Sequence, residues 1–296
     1  MARRRKALRV FVFGAGKVGS ALGRALRTAG ALVTLRPARE GMPRKVDADV
    51  VVLAVRERDL PDVTEAMAPA VGRRSVVVHV AGVLDASALA ALRGRCAGVA
   101  QMHPMVSFAS TRRFPGLAGG SLHVQGDPVA VARANRLGRM LGMSPRTVRG
   151  LDTVAYHAAA GLVANGAAAL AAMGAELLVR AGVRRQDAPK MLGPLLRSVA
   201  ENVESLGFPD ALTGPVRRGD AAGVEKHLAT LKAKLPDAIP FYLASAEAQL
   251  PLARALGDVP AASLDAVAKA IERGRLECNI PIGAARVRAS RRKRPK

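Results

Sequence analysis

Residues 10–26, VFVFGAGKVGSALGRAL, constrain this chain more than any other stretch. A β-branched and aromatic run stops at Gly14, and from Val18 onward apolar residues recur at Ala21, Leu22, Ala25 and Leu26, the spacing of one helix face. Gly14, Gly16 and Gly19 stand where the two patterns meet. The first permits a tight turn, the second lets a ligand approach bare backbone, and the third lets the helix lie close on the strand. A turn of this kind leaves the unpaired N–H groups of a helix N-terminus open at the end of a strand, where they attract phosphate. The spacing therefore predicts a dinucleotide-binding unit, with Ala15, Lys17 and Val18 completing the loop around the pyrophosphate. No Lys-Ser/Thr pair follows the last glycine, which excludes a mononucleotide P-loop.

The alternation continues through the first half. Apolar runs at 9–13, 32–35, 50–55, 76–80 and 98–102 read as strands separated by helical patterns, an order that builds a parallel sheet covered by helices. Runs at 121–124 and 146–148 add two strands around a helix near 129–141. After Leu151 the strand signals stop, and helices are predicted at 152–180, with Asp152 or Thr153 as N-cap, and near 188–206, 221–235, 241–256 and 263–273. The expected fold class is α/β: a Rossmann doubly wound parallel sheet over residues 1–150, an all-α substrate and dimerisation domain over 151–285, and a basic tail over 286–296.

Half of the 296 residues are apolar, enough for a sizeable core. The net charge of +23 raises nucleic acid as a partner, but residues 1–9 and 286–296 carry five and seven Lys/Arg without an acid, about half of that excess. Two Tyr, six Phe and no Trp give little stacking surface, so no specific nucleic-acid partner is expected. Cys96 and Cys278 are isolated, which fits reduced thiols in a cytoplasmic protein. Asn165 and Glu176 interrupt the alanine-rich stretch after Ala158, and no membrane span is expected.

Chemistry is expected at four further places. Arg36 stands where the second strand ends and where an acidic residue would hold an unphosphorylated ribose; a guanidinium there suits NADP, the alternative being a surface arginine in an arginine-rich chain. Val55, closing the third apolar run, is placed on the cofactor. His103 in HPMVS lies at the carboxyl edge of the sheet, where an imidazole can act as acid or base; His79 has a weaker claim. His157, Gly161 and Asn165 in YHAAAGLVAN share one helix face, so His157 and Asn165 can both address a small-molecule substrate, or else satisfy each other. In ALTGPVRRGD, Asp220 is a candidate N-cap, and Arg217 or Arg218 is assigned to a substrate carboxylate or cofactor phosphate. No HExxH, paired Cys/His spacing or GxSxG occurs, and no metal is expected.

GAGKVGSALG, HPMVSF, YHAAAGLVAN and ALTGPVRRGD together, in that order, resemble a bacterial family of a Rossmann-like domain followed by a helical domain of unknown function. The likeness spans the chain apart from its basic ends. It implies kinship with pyrroline-carboxylate reductase, ketopantoate reductase and the deazaflavin-dependent NADP oxidoreductases, with a helical domain like the C-terminal part of 6-phosphogluconate dehydrogenase and a homodimer. His103–Met105 is also similar to the motif that places a catalytic histidine in prephenate dehydrogenases, although Val106 departs from it. Hydroxyacid dehydrogenases of the superfamily carry a lysine with an asparagine on the helix; here Asn165 is present but no lysine lies between Lys45 and Lys190. The resulting expectation is an NADP-dependent oxidoreductase, with His103, His157 and Asn165 catalytic, and a non-catalytic NADP-binding regulator as the alternative.

Overall fold

The computed structural model describes residues 7–278, so the basic N-terminal residues 1–6 and the tail expected at 286–296 lie outside the described residues. The chain forms two compact units, Met1–Ala164 and Asn165–Lys296. The division thus falls inside a helix, later than residue 150, because the first turns of that helix pack on the sheet (below).

Seven strands, β1 (Arg9–Phe13), β2 (Leu32–Arg36), β3 (Val50–Leu53), β4 (Val76–His79), β5 (Gly98–Pro104), β6 (Ser121–Gly126) and β7 (Ser144–Arg146), form one sheet in the order β2-β1-β3-β4-β5-β6-β7. Strands β1 to β5 are parallel; β6 runs antiparallel to β5, pairing His103 with His123, and β7 is parallel to β6. β3 and β4 are enclosed at every residue, the reason they read as unbroken apolar runs. Val50, Val52, Val76 and Val78 join Leu22 and Leu26 of α1 (Lys17–Thr28) and Leu137 of α3 (Pro128–Met140) in one core. Val51, Leu53 and Val77 join Leu60 and Met67 of α2 (Leu60–Met67) and Leu89 and Leu92 of a 3₁₀ segment (Ala86–Leu92) in a second core on the opposite face. The seventh strand starts two residues before the run read from sequence because it contains Pro145, which a strand at the sheet edge tolerates.

The remaining helices are α4 (Thr153–Arg180), α5 (Ala188–Leu206), α6 (Ala221–Lys234), α7 (Ile239–Leu256) and α8 (Ala261–Glu277). Asp152 Oδ1 caps α4 by accepting from the N–H groups of Val154 and Ala155, each at 3.0 Å. Within the second unit α6, α7 and α8 close a core of Val224, Leu231, Leu243, Leu264, Val267 and Ile271, with Met173 and Leu177 of α4 against it. Two apolar faces stay uncovered: Leu162 (78 % exposed), Val163 and Leu170 on α4, and Met191, Leu195, Val199 and Val203 on α5, the last four spaced by four residues. Against the expectation from sequence, α4 is long and apolar enough to cross a membrane by length and composition, since its alanines outweigh Asn165 and Glu176.

Candidate active site

The glycine loop follows β1. Gly14 has φ +106°, and a Cβ there would stand 2.3 Å from the Ala54 carbonyl oxygen; a Cβ on Gly19 would stand 1.9 Å from the Gly14 carbonyl oxygen. Around Gly16 a Cβ would meet nothing within 4 Å, so the backbone that opens α1 is bare. Gly14 N–H donates to the Arg36 carbonyl (2.9 Å) and Ser20 Oγ donates to the Ala15 carbonyl (2.9 Å), which fixes the turn. Beside it lies a hollow of about 300 Å³ lined by Gly14, Ala15, Gly16, Arg39, Val55 and Arg56. Asp59 lines the hollow too and pairs with Arg56 at 2.8 Å, so an open bare turn, a helix N-terminus and the Arg39 cation are what fit a dinucleotide. Arg36 is placed differently from its expected role: its Nε donates to the Gly41 carbonyl (2.8 Å) and it also bonds the Glu40 carbonyl, bracing the turn after β2. The arginine of that turn that lines the hollow is Arg39.

A cleft of about 450 Å³ opens at the carboxyl ends of β1, β3, β4 and β5, and Gly16, Lys17, Val18, Val55, Gly82, His103, Phe108 and His157 are among the residues that line it. His103 belongs to β5 itself, which runs two residues further than the sequence suggested, and is 9 % exposed. Strand alternation puts it on the same face as Gln101, while His79, His123 and Gln125 take the matching positions on the neighbouring strands. That face of the sheet, apolar further down, becomes polar at its carboxyl end. Tyr156 and His157, in the first turn of α4, meet it there: the His103 ring lies 5.5 Å from that of Tyr156 and 5.6 Å from that of His157, both edge-on, and His123 lies 5.5 Å from Tyr156.

Burial, reinforced by the neighbouring His157, His123 and His79, pushes His103 down to about 4, so it is neutral at pH 7. Its Nδ1 is enclosed and has no hydrogen-bond partner among the described residues, which marks it for a ligand or for strain. His79 is fully satisfied instead. Its Nδ1 accepts from Ala81 N–H (3.2 Å), leaving Nε2–H to donate to the Asp85 carbonyl (2.8 Å), and burial lowers its basicity. It is a structural histidine.

Sequence reasoning passed over Glu57, Gly82, Gln101 and His123, and read Thr153 only as a possible N-cap. Gln101 and His123 were detectable as polar residues at alternate positions of apolar strands, QMH and LHVQ; nothing local marks Glu57 or Thr153, whose partners lie 25 and 70 residues away. Asn165 opens the second compact unit and is exposed. Arg217, in the same unit, is committed to the fold: Nε pairs with Asp258 at 3.1 Å and Nη1 donates to the Leu212 carbonyl at 2.7 Å. Arg218 is exposed, and Asp220 caps α6 by accepting from Gly223 N–H at 2.8 Å.

Residues 121–249 match the family model described as Domain of unknown function (DUF2520). That stretch, less than half of the chain, is similar to the domain. No curated protein matches it in sequence. Among solved structures, the fold is shared with a Bacteroides fragilis protein provisionally assigned as an NADP oxidoreductase (TM-score 0.65, 19 % identity, covering 82 % of this chain and 98 % of that one). It is also shared with Plasmodium falciparum pyrroline carboxylate reductase with NADP bound (0.55, 14 %, 91 % and 98 %) and with Streptomyces aurantiacus imine reductase (0.52, 18 %, 88 % and 98 %). The DUF2520 match begins at β6 and ends within α7, so it includes His123, Tyr156, His157 and Asn165 but neither the glycine loop nor His103.

Proposed function

We propose that the protein is an NADP-dependent oxidoreductase that moves a hydride to or from a small substrate bearing a C=N, C=O or C–OH group. The observation that carries this reading is the placement of an enclosed, neutral His103 and an exposed His157 on the wall of the cleft into which the glycine loop opens. When bound, the dihydronicotinamide supplies the hydride; the chain's residues bind, orient and move the proton. The backbone from Gly14 to Lys17 takes the pyrophosphate, and Arg39 faces the adenosine end, where a cation favours the extra phosphate of NADP, while Arg56 is paired with Asp59. Val18, Val55, Val80 and Phe108 give the cleft an apolar lining. His103 orients the reacting carbonyl or imine by a hydrogen bond without adding charge, and His157, open to solvent, delivers a proton to the nitrogen or oxygen as the hydride reaches the adjacent carbon. The names of two proteins of like fold, a pyrroline carboxylate reductase and an imine reductase, support a C=N among these as the reacting group.

The test is nicotinamide absorbance with a panel of cyclic imines, ketoacids and hydroxyacids. Turnover with one class, lost in His157→Gln, is expected; tight NADPH binding with no turnover across the panel would replace this reading with a regulator. Calorimetry should show NADPH binding at least about tenfold more tightly than NADH, a charge-assisted contact being worth roughly 1.5–3 kcal/mol, and Arg39→Glu should erase that gap while Arg36→Gln narrows it less. Equal affinities in the parent protein would remove the phosphate-binding role.

We also propose that the functional form is a homodimer joined through the uncovered faces of α4 and α5. The stripe Met191, Leu195, Val199 and Val203 repeats every four residues, as a helix packed on another helix requires, and an alanine-rich α4 permits close backbone approach. The first turn of α4 is held on the sheet by Tyr156 and His157, which supports a second copy over a bilayer as the occupant of this surface.

A further inference from the structure

The tripeptide Ala81–Gly82–Val83, just after β4, has no regular backbone pairing, yet a side chain meets every one of its backbone polar groups. Ala81 N–H donates to His79 Nδ1 (3.2 Å), and the carbonyls of Ala81 and Gly82 accept from Gln101 Nε2 (2.9 and 3.3 Å). The N–H groups of Gly82 and Val83 both donate to Glu57 Oε1 (3.2 and 3.4 Å), and the Val83 carbonyl accepts from Thr153 Oγ1 (2.7 Å). Four segments far apart in sequence thus hold three residues. The His157 ring lies against this tripeptide: a Cβ on Gly82 would stand 2.1 Å from its Nδ1 and 2.8 Å from its Cγ. Glu57 and Gly82 both line the cleft.

We propose that Glu57 is a positioning residue that fixes the Ala81–Val83 segment as the seat of the His157 imidazole, and that the missing side chain at Gly82 sets where that ring stands. The proposal rests on the reading of His157 as the proton donor. A carboxylate oxygen accepting two adjacent N–H groups holds the backbone at two points, so the ring above it keeps one orientation toward the cleft. Displacing an acting group by about 1 Å costs on the order of a hundredfold in rate, which is the effect a loosened seat would have.

The test uses the full chain labelled in its histidines. It has five, so imidazole Cε1–Hε1 spectra give five signals, with His157 assigned by its loss in His157→Gln. Glu57→Ala is expected to move the His157 signal and to lower kcat by at least about tenfold with KM little changed, whereas Glu57→Gln, whose amide oxygen still accepts both N–H groups, keeps the signal and the rate. Gly82→Ala is expected to displace the same signal by pushing the ring aside. A His157 signal unmoved in both Glu57→Ala and Gly82→Ala overturns the proposal, as does Glu57→Gln behaving like Glu57→Ala. Should the parent protein turn nothing over, the oxidoreductase reading fails, but the signal of His157 still decides the role of Glu57.

Discussion

In the nucleotide-binding unit β3 and β4 are enclosed along their whole length, α1 and α3 covering one face of the sheet and α2 and a 3₁₀ segment the other. In the helical unit, by contrast, α6, α7 and α8 surround one core while α4 and α5 turn leucines and valines outward, Leu195 with 57 % of its surface exposed. The first unit is completed by its own chain. In the second, the same amphipathic logic has run without a partner, and a helix stripe that none of the described residues covers is what a self-complementary interface needs. The difference teaches that apolar patterning alone does not say where the covering surface comes from.

Substitutions sharpen this contrast, the largest effect coming from the closed unit. Gly19→Ala would drive a methyl group into the Gly14 carbonyl, backbone that has nowhere to go, and against the Ala54 methyl group. Loss of about 4 kcal/mol of stability and of NADPH binding is expected, read by urea unfolding and calorimetry. Full stability with retained binding would show that the turn yields more easily than its geometry implies.

Next in size is pH. His103 titrates at about 4 in the folded chain, below the 6.5 of an exposed histidine, so the unfolded chain binds the extra proton between those values. Its share of stability is therefore intact above pH 6.5 and is lost as pH falls toward 4, up to about 3 kcal/mol, with enclosed His79 and His123 adding the same sign. Unfolding measured at pH 7 and pH 5 should show this loss, reduced in His103→Asn; a parent protein equally stable at both values would contradict the burial of the ring.

The smallest change in intrinsic stability is expected at the open face. Leu195→Glu on α5 should shift the fold of a monomer by no more than about 0.5 kcal/mol, because the side chain is exposed. In light scattering the parent should show twice the monomer mass and the variant the monomer mass. A parent monomeric at micromolar concentration would break the comparison and leave the stripe unexplained.

The glycine loop and the parallel strands were legible because each depends on neighbours in sequence: Gly14, Gly16 and Gly19 sit at fixed spacing, and buried strands are apolar at every position. The helical half was legible too, since α5 spans the range expected for it and Asp220 caps α6. What sequence could not give depends on contacts between distant segments. Arg36 stood where a phosphate ligand would stand, but the carbonyls of Glu40 and Gly41 claim its guanidinium, and Arg39 faces the hollow instead. Arg217 carries the charge a substrate carboxylate would want and uses it on Asp258 and the Leu212 carbonyl. The reversal of β6, which sets His123 opposite His103, leaves no mark in either strand's own composition.

The close approach of Gly82 to the His157 ring makes two positions 75 residues apart a single heritable choice. A side chain at 82 can enter only if the ring at 157 shrinks or swings away, and a bulkier group at 157 needs 82 to stay bare. In a library randomised at both positions and selected for cofactor-dependent turnover, survivors should arrive as matched pairs, with His157 recovered almost wholly beside glycine. A descendant that gave up the imidazole would lift the restriction on residue 82, and that freedom would remain readable in its sequence after the chemistry had changed.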